Sequence, residues 1–272
     1  MSALNYKKTS ADRSGSLFAI VDKRISKNCE TSLSRLGFEI IKLEADERLG
    51  EAVASHTDML IFRYDDTLVC SRAYFEKNEE LFKKIKTYLQ DFKFILSDED
   101  ISKTYPHDAI FNALSIDNKI FIKTDTASKN VLDLARKRKL DIIKVKQGYP
   151  ACTTLATKTG FAITSDGGMR NALEKNGISV LEIPESEKIK LPPYKNGFIG
   201  GAAGILDKTV YFLGNLHSHP HGKEIEAKLK EHGYDSVSLD TSSDSLFDLG
   251  GMILINTDKS GRSTRPKNPK SE

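Results

Sequence analysis

Three histidines at alternate positions, His217, His219 and His221 in HSHPH, and one cysteine, Cys152 in KQGYPACTT, have the types and surroundings from which chemistry could be built. In an extended strand the alternation puts three imidazoles on one side, an arrangement suited to zinc. Pro220 and the helix-forming GKEIEAKL that follows turn the chain instead, and no carboxylate lies beside the cluster. No metal ligand is therefore assigned, and His217 and His219 are read as loop side chains facing a polar ligand. Cys152 has two readings. Cysteine is among the most commonly buried residue types, so an inert core thiol is expected; a nucleophile would need an imidazolium or a helix terminus to stabilise its thiolate. Arg63, in IFRYDD, has Asp65 and Asp66 beside it, which suits a surface ion pair better than the binding of a carboxylate.

Two stretches place a glycine pair in front of an apolar run: GFIGGAAGIL at 197–206 and FDLGGMILIN at 247–256. They belong to a larger repeat, because one order of elements returns roughly every 40 to 55 residues. The unit is helix, strand, loop, strand, turn, strand. Apolar residues at three and four spacing predict helices in SKNCETSLSRLGF, AYFEKNEELFKKIKTYLQDF, SKNVLDLARKRKL, GGMRNALEKNGI and GKEIEAKLKEHGY. Each is followed by a short apolar strand: EIIKLE, KFILS, DIIKVK, SVLEIP and SVSLD. The fifth copy ends before its hairpin closes, and SLFAIVD at 16–22 is a free strand placed to complete it. Asp125, Asp166 and Asn215 stand where helices begin and are read as caps. In a cyclic repeat, corresponding points converge on one axis. Asn112 in IFNAL, Cys152, Gly200, Gly201 and Asp248, with His217 or His219, are therefore expected around one polar pocket.

Composition narrows the function classes. The net charge of +3 is matched by the C-terminal stretch TDKSGRSTRPKNPKSE alone, so the body is near neutral. The one dense basic run, RKRK at 136–139, ends a helix and reads as a solvated terminus rather than a nucleic-acid face. No apolar run reaches the roughly 18 to 20 residues of a membrane span, and no secretory leader is recognised, so a cytoplasmic location is expected. Cys29, Cys70 and Cys152 lack CxxC spacing and are read as reduced thiols. GGAAG at 200–204 leads into a strand rather than a helix, which argues against a phosphate loop.

With five units and paired glycines in the last two, the chain from Ser16 to Asn256 resembles the pentein, or guanidino-modifying, β/α-propeller superfamily. KQGYPACTT, GFIGGAAG, SHP and DLGGMI are most similar to a bacterial branch of it without an assigned reaction. The resemblance implies an α/β fold, a pentein-type five-unit β/α propeller with pseudo-fivefold repeats, and a polar central channel for a guanidinium-bearing ligand. It also implies a nucleophilic cysteine just after the last glycine pair and a histidine in the fourth unit. Here MILIN follows the pair and GGAAG occupies the fourth unit, so neither group is present at those points.

The expected organisation is a tail over 1–15, one propeller domain over 16–256 and a basic tail over 257–272. The expected function is binding of a small polar, guanidino-type ligand without the usual catalytic cysteine. Ligand contacts fall to Asn112, Gly200, Gly201, Asp248 and Arg63, and no cofactor, membrane or nucleic-acid partner is expected. The alternative is a hydrolase or transferase that uses Cys152 with His217 or His219. The sequence leaves oligomeric state open.

Overall fold

A computed structural model describes residues 16–257. The expected tail at 1–15, and the C-terminal one beyond Thr257, lie outside the described residues. The elements run β1 (Leu17–Asp22), α1 (Lys27–Arg35), β2 (Phe38–Leu43), α2 (Thr57–Leu60), β3 (Ile61–Tyr64) and β4 (Thr67–Ser71). Next come α3 (Arg72–Lys77), α4 (Glu79–Tyr88), β5 (Lys93–Ser97), β6 (Leu114–Ile116), β7 (Lys119–Ile122), α5 (Lys129–Lys137) and β8 (Asp141–Lys144). They continue with α6 (Pro150–Thr153), β9 (Thr154–Ala156), β10 (Phe161–Thr164), α7 (Gly167–Lys175) and β11 (Ser179–Glu182). The last are β12 (Ile189–Lys190), β13 (Ala203–Leu206), β14 (Thr209–Phe212), α8 (Gly222–Glu231), β15 (Asp235–Ser238), β16 (Leu246–Phe247) and β17 (Ile253–Asn256).

Five open three-stranded sheets share one plan: β17-β1-β2, β3-β4-β5, β6-β7-β8, β9-β10-β11 and β13-β14-β15. In each, the first strand is antiparallel to the middle one, and the middle strand is parallel to the third. A parallel neighbour needs a crossover, and the amphipathic helices α1, α3 with α4, α5, α7 and α8 supply it. The strand expected to complete the last unit is found where the sequence places it. β1 pairs with β17 in the register Leu17 to Asn256 and Ile20 to Ile253. Every residue of β1 is buried, as befits a middle strand covered on both faces.

Local chemistry sets the helix ends. Ser26, Ser71, Ser128 and Asp166 each accept a backbone N–H at the start of α1, α3, α5 and α7. Two expected caps are corrected. Asp125 pairs with Lys144 at 2.7 Å, leaving Ser128 to cap α5. Asn215 caps the short turn Leu216–Ser218 rather than α8. The long helix expected over 73–92 is broken at Asn78, whose side-chain amide donates to Tyr74 O at 2.9 Å and competes with the backbone ladder.

Candidate functional site

Each sheet's first strand is preceded by a tight turn, and these turns build the site. They are α2 before β3, the turn closed by Asn112 N on Ala109 O before β6, α6 before β9, the turn closed by Ala202 N on Ile199 O before β13, and Gly250–Gly251 before β17. Asp58, Phe111, Ala151, Gly200 and Gly250, one residue from each, line a single cavity of about 230 Å³. Its walls continue along the strands through Phe62, Arg63, Leu114, Leu155 and Ile253.

Behind the polar part of the wall lies a cluster of buried side chains. The Cys152 thiol donates to Asp58 Oδ2 at 2.6 Å, and Asn112 Nδ2 donates to Cys152 Sγ at 3.3 Å. Asn112 Oδ1 accepts from Ala151 N at 2.8 Å, so one amide locks the start of α6 and the thiol together. His56 is fully buried, and neither ring nitrogen has a hydrogen-bond partner among the described residues. Its Nδ1 lies 4.0 Å from Asp248 Oδ1. Asp248 accepts from Phe198 N at 2.9 Å and Gly250 N at 3.1 Å, whereas Asp58 Oδ1 has no partner. The backbone fixes the carboxylate: Asp58 N donates to Gly250 O at 3.2 Å. Ser55, next to His56, is tied to the end of β1 by its 2.8 Å bond to Asp22.

The electrostatics are those of buried acids to which no cation is directly paired among the described residues. Burial, with the charge of Asp248, pushes the Asp58 carboxyl up to about 8, although one face of it reaches the cavity. Burial raises Asp248 to about 6 against the pull of its two N–H donors. It raises the Cys152 thiol well above its ordinary value, with Asp58 adding to the effect, and lowers His56 to about 3, so the imidazole is neutral. Among the described residues no Lys or Arg pairs with Asp58 or Asp248.

The glycine pairs are explained by close approach. A methyl on Gly250, at φ +69°, would lie 2.5 Å from His56 Cβ and 2.6 Å from Asp58 Oδ1. One on Gly201 would lie 2.5 Å from Asp248 Cγ.

The residues named from sequence fare differently. Arg63 and Gly200 line the cavity, Asn112, Cys152 and Asp248 join the cluster behind it, and Gly201 packs against Asp248. Neither His217 nor His219 lines the cavity. The exposed His217 faces Glu226 at 3.6 Å, while the buried His219 accepts from His221 N at 3.1 Å. His221, the third of the alternating set, pairs with Glu224 at 2.8 Å. Cys152 sits on the helical turn α6. Among the described residues Arg63 makes no ion pair: it donates to Leu254 O at 2.6 Å and thereby straps β3 to β17. The expectation of a function without the usual catalytic cysteine is corrected in one respect, since a cysteine from another unit stands in the cluster. Met252 follows the last glycine pair, but α6 delivers Cys152 to the cluster from the third unit.

Sequence reasoning missed His56 and Asp58, which lie in ASHTDML just before β3. Their one local signal is a run of four polar residues, SHTD, ahead of an apolar run, at the place held by YPAC and DLGG in other units. All three cysteines are buried, so native protein at neutral pH is expected to take up no iodoacetamide within the time in which unfolded protein labels fully. Mass spectrometry after digestion reads the outcome, and rapid native labelling at Cys152 would contradict the buried, protonated thiol.

A family model described as a family of unknown function, DUF6873, matches residues 20–253. No curated protein sequence matches the chain. Among solved structures, an amidinotransferase of the saxitoxin biosynthetic pathway from Microseira wollei superposes with a TM-score of 0.53 at 13% identity, covering 88% of this chain and 94% of that one. A cysteine-to-serine mutant of dimethylarginine dimethylaminohydrolase from Pseudomonas aeruginosa, complexed with citrulline, gives a TM-score of 0.52 at 11% identity, covering 85% and 95%. An agmatine deiminase of C. jejuni with substrate bound gives 0.50 at 10% identity, covering 91% and 94%. These proteins are members of the pentein superfamily, and the likeness establishes a mixed α/β fold of that kind.

Proposed function

This chain belongs to the DUF6873 family, and we propose that it is a five-unit pentein-type propeller, one domain over 16–256, that binds a small guanidino-type cation in its central cavity. The repeated sheet plan and the pairing of β1 with β17 support the ring. One observation carries the ligand class. Asp58 lines the cavity and holds a buried carboxylate oxygen without a partner, beside a second buried carboxylate, and among the described residues no Lys or Arg is paired with either. Such a group is costly to bury alone and favours a ligand that brings positive charge and N–H donors. Phe62, Phe111 and Ile253 offer apolar surface to the ligand's carbon skeleton, and Arg63 a charge for an acidic end.

Binding is favoured over turnover in this reading. Cys152 is 4% exposed, its thiol hydrogen is engaged by Asp58, and the neighbouring imidazole is neutral, so no thiolate is prepared.

A thermal-shift series on the full chain tests the proposal with agmatine, arginine and methylated arginines against neutral citrulline. At ligand concentrations about 100 times Kd, the stabilisation of about 2.7 kcal/mol should raise Tm by roughly 5 to 10 °C. Equal shifts with citrulline, or none with any guanidino compound, would overturn it. Release of ornithine, citrulline or ammonia that is abolished by Cys152→Ser would replace it with the cysteine-dependent enzyme.

A further inference from the structure

We infer that His56, Asp58 and Cys152 form a binding site for one divalent, zinc-class cation at the floor of the cavity. One donor atom from each residue lies within 4.8 Å of the other two. The set is brought together by two turns remote in sequence, α2 with the residue before it, and α6.

His56 is the independent observation. An imidazole with both nitrogens buried and unpartnered leaves each polar group desolvated without compensation, and an ion that takes one nitrogen removes that penalty there. Thr57 Oγ1 and Asp58 Oδ1 are also buried without partners in the same turn. Four of the eight buried polar side-chain atoms without partners among the described residues fall on these three consecutive residues, a concentration that marks a place for a guest.

The donor set suits a divalent ion. As the ion binds, the Cys152 thiol and the Asp58 carboxyl release their protons to solvent, so that a thiolate, a carboxylate and a neutral imidazole face two positive charges. Sulfur and imidazole ligands favour zinc over magnesium or calcium, which take oxygen. Zinc bonds of roughly 2.0 to 2.3 Å hold tetrahedral donors roughly 3.3 to 3.8 Å apart. The 2.6 Å contact between Cys152 and Asp58 therefore opens once its proton is gone, and the wider spacings contract. The surroundings suit the role. Asn112 donates to Sγ, which steadies a thiolate, and Asp248 stands 4.0 Å from His56 Nδ1, where ion-bound imidazoles commonly have a carboxylate. Three protein donors leave a fourth position open, and Asp58 borders the cavity.

The site shares Asp58 with the proposed guanidinium anchor but stands on His56 and Cys152 as well. The test uses the untagged full chain after stripping with EDTA, titrated with cobalt(II) and with zinc. Cobalt should bind at one equivalent and give a thiolate-to-cobalt charge-transfer band, which HSHPH, having no thiol, cannot produce. Zinc should displace it with Kd below 1 μM. His56→Gln should weaken zinc at least 100-fold while guanidino compounds still raise Tm. Should Cys152→Ser fail to fold, a Cys29→Ser, Cys70→Ser protein retaining Cys152 alone must keep the band. Absence of stoichiometric binding to the wild type, or a band that survives Cys152→Ser, would overturn the inference. Zinc binding without guanidino binding supports it and removes the ligand proposal instead; guanidino binding without zinc does the reverse.

Discussion

Gly200→Ala is expected to destabilise the protein by about 4 kcal/mol or more, a large part of the 5 to 15 kcal/mol that holds a typical domain together. A methyl at this position would meet three backbone carbonyl oxygens of α6 and the residue after it, with Thr154 O at 2.6 Å, Cys152 O at 2.7 Å and Ala151 O also in its path. None of these is the end of a flexible side chain. Relief requires the turn before β13 to move off α6, and that movement breaks the 3.0 Å bond from Gly201 N to Cys152 O. Overpacking usually costs about 1 to 3 kcal/mol where side chains can shift, and here they cannot. Gly167→Ala is the control, since nothing lies within 4 Å of its methyl at the start of α7. It should be neutral or stabilising by up to about 1 kcal/mol. Urea midpoints of both variants give the comparison, and a loss below 1 kcal/mol at Gly200 would contradict the close packing of these turns.

Asp58→Asn should leave the fold intact and reduce affinity for a guanidino cation by about 100- to 1,000-fold. The amide matches the carboxyl in size, the backbone bond from residue 58 to Gly250 O is untouched, and Asn112 still holds Cys152. What disappears is the capacity to become a carboxylate: the Asp58 carboxyl, pushed up to about 8 by burial, can give up its proton to meet a cation, and the amide cannot. A cation left in a largely apolar cavity without its counterion forfeits about 3 to 5 kcal/mol. Calorimetric titration with the strongest ligand of the thermal-shift series, alongside a urea midpoint, separates binding from folding. A change in affinity below ten-fold with the fold preserved would remove Asp58 as the anchor.

The sequence by itself determined the order of elements. Helices at 3.6 periodicity, each followed by a short apolar strand, are visible because such patterns are local, and they reappear as α1, α5, α7 and α8 with their third strands. The partner of β1 was legible for a related reason: one apolar strand lacked a unit and one unit lacked a strand. Asp166 as a cap followed from its place alone, whereas Asp125 did not, because a lysine nineteen residues away offered a better partner.

Tertiary structure decided the site. α2 and α6 are single turns of four residues, too short to show a period, so nothing local marked His56 and Asp58 as site residues or placed Cys152 on a helical turn beside them. Arg63 has acidic neighbours in the chain, but its strand carries it to Leu254 O on β17 instead. HSHPH has the composition of a metal site, yet its loop starts an outer helix and disperses the imidazoles to Glu226, Glu224 and each other. Asp58 and Cys152 stand 94 positions apart in the chain and 2.6 Å apart in space. Local patterns report only which neighbours a residue has along the backbone; the balance of burial, charge and unfilled hydrogen bonds at this site arises from the packing of distant turns.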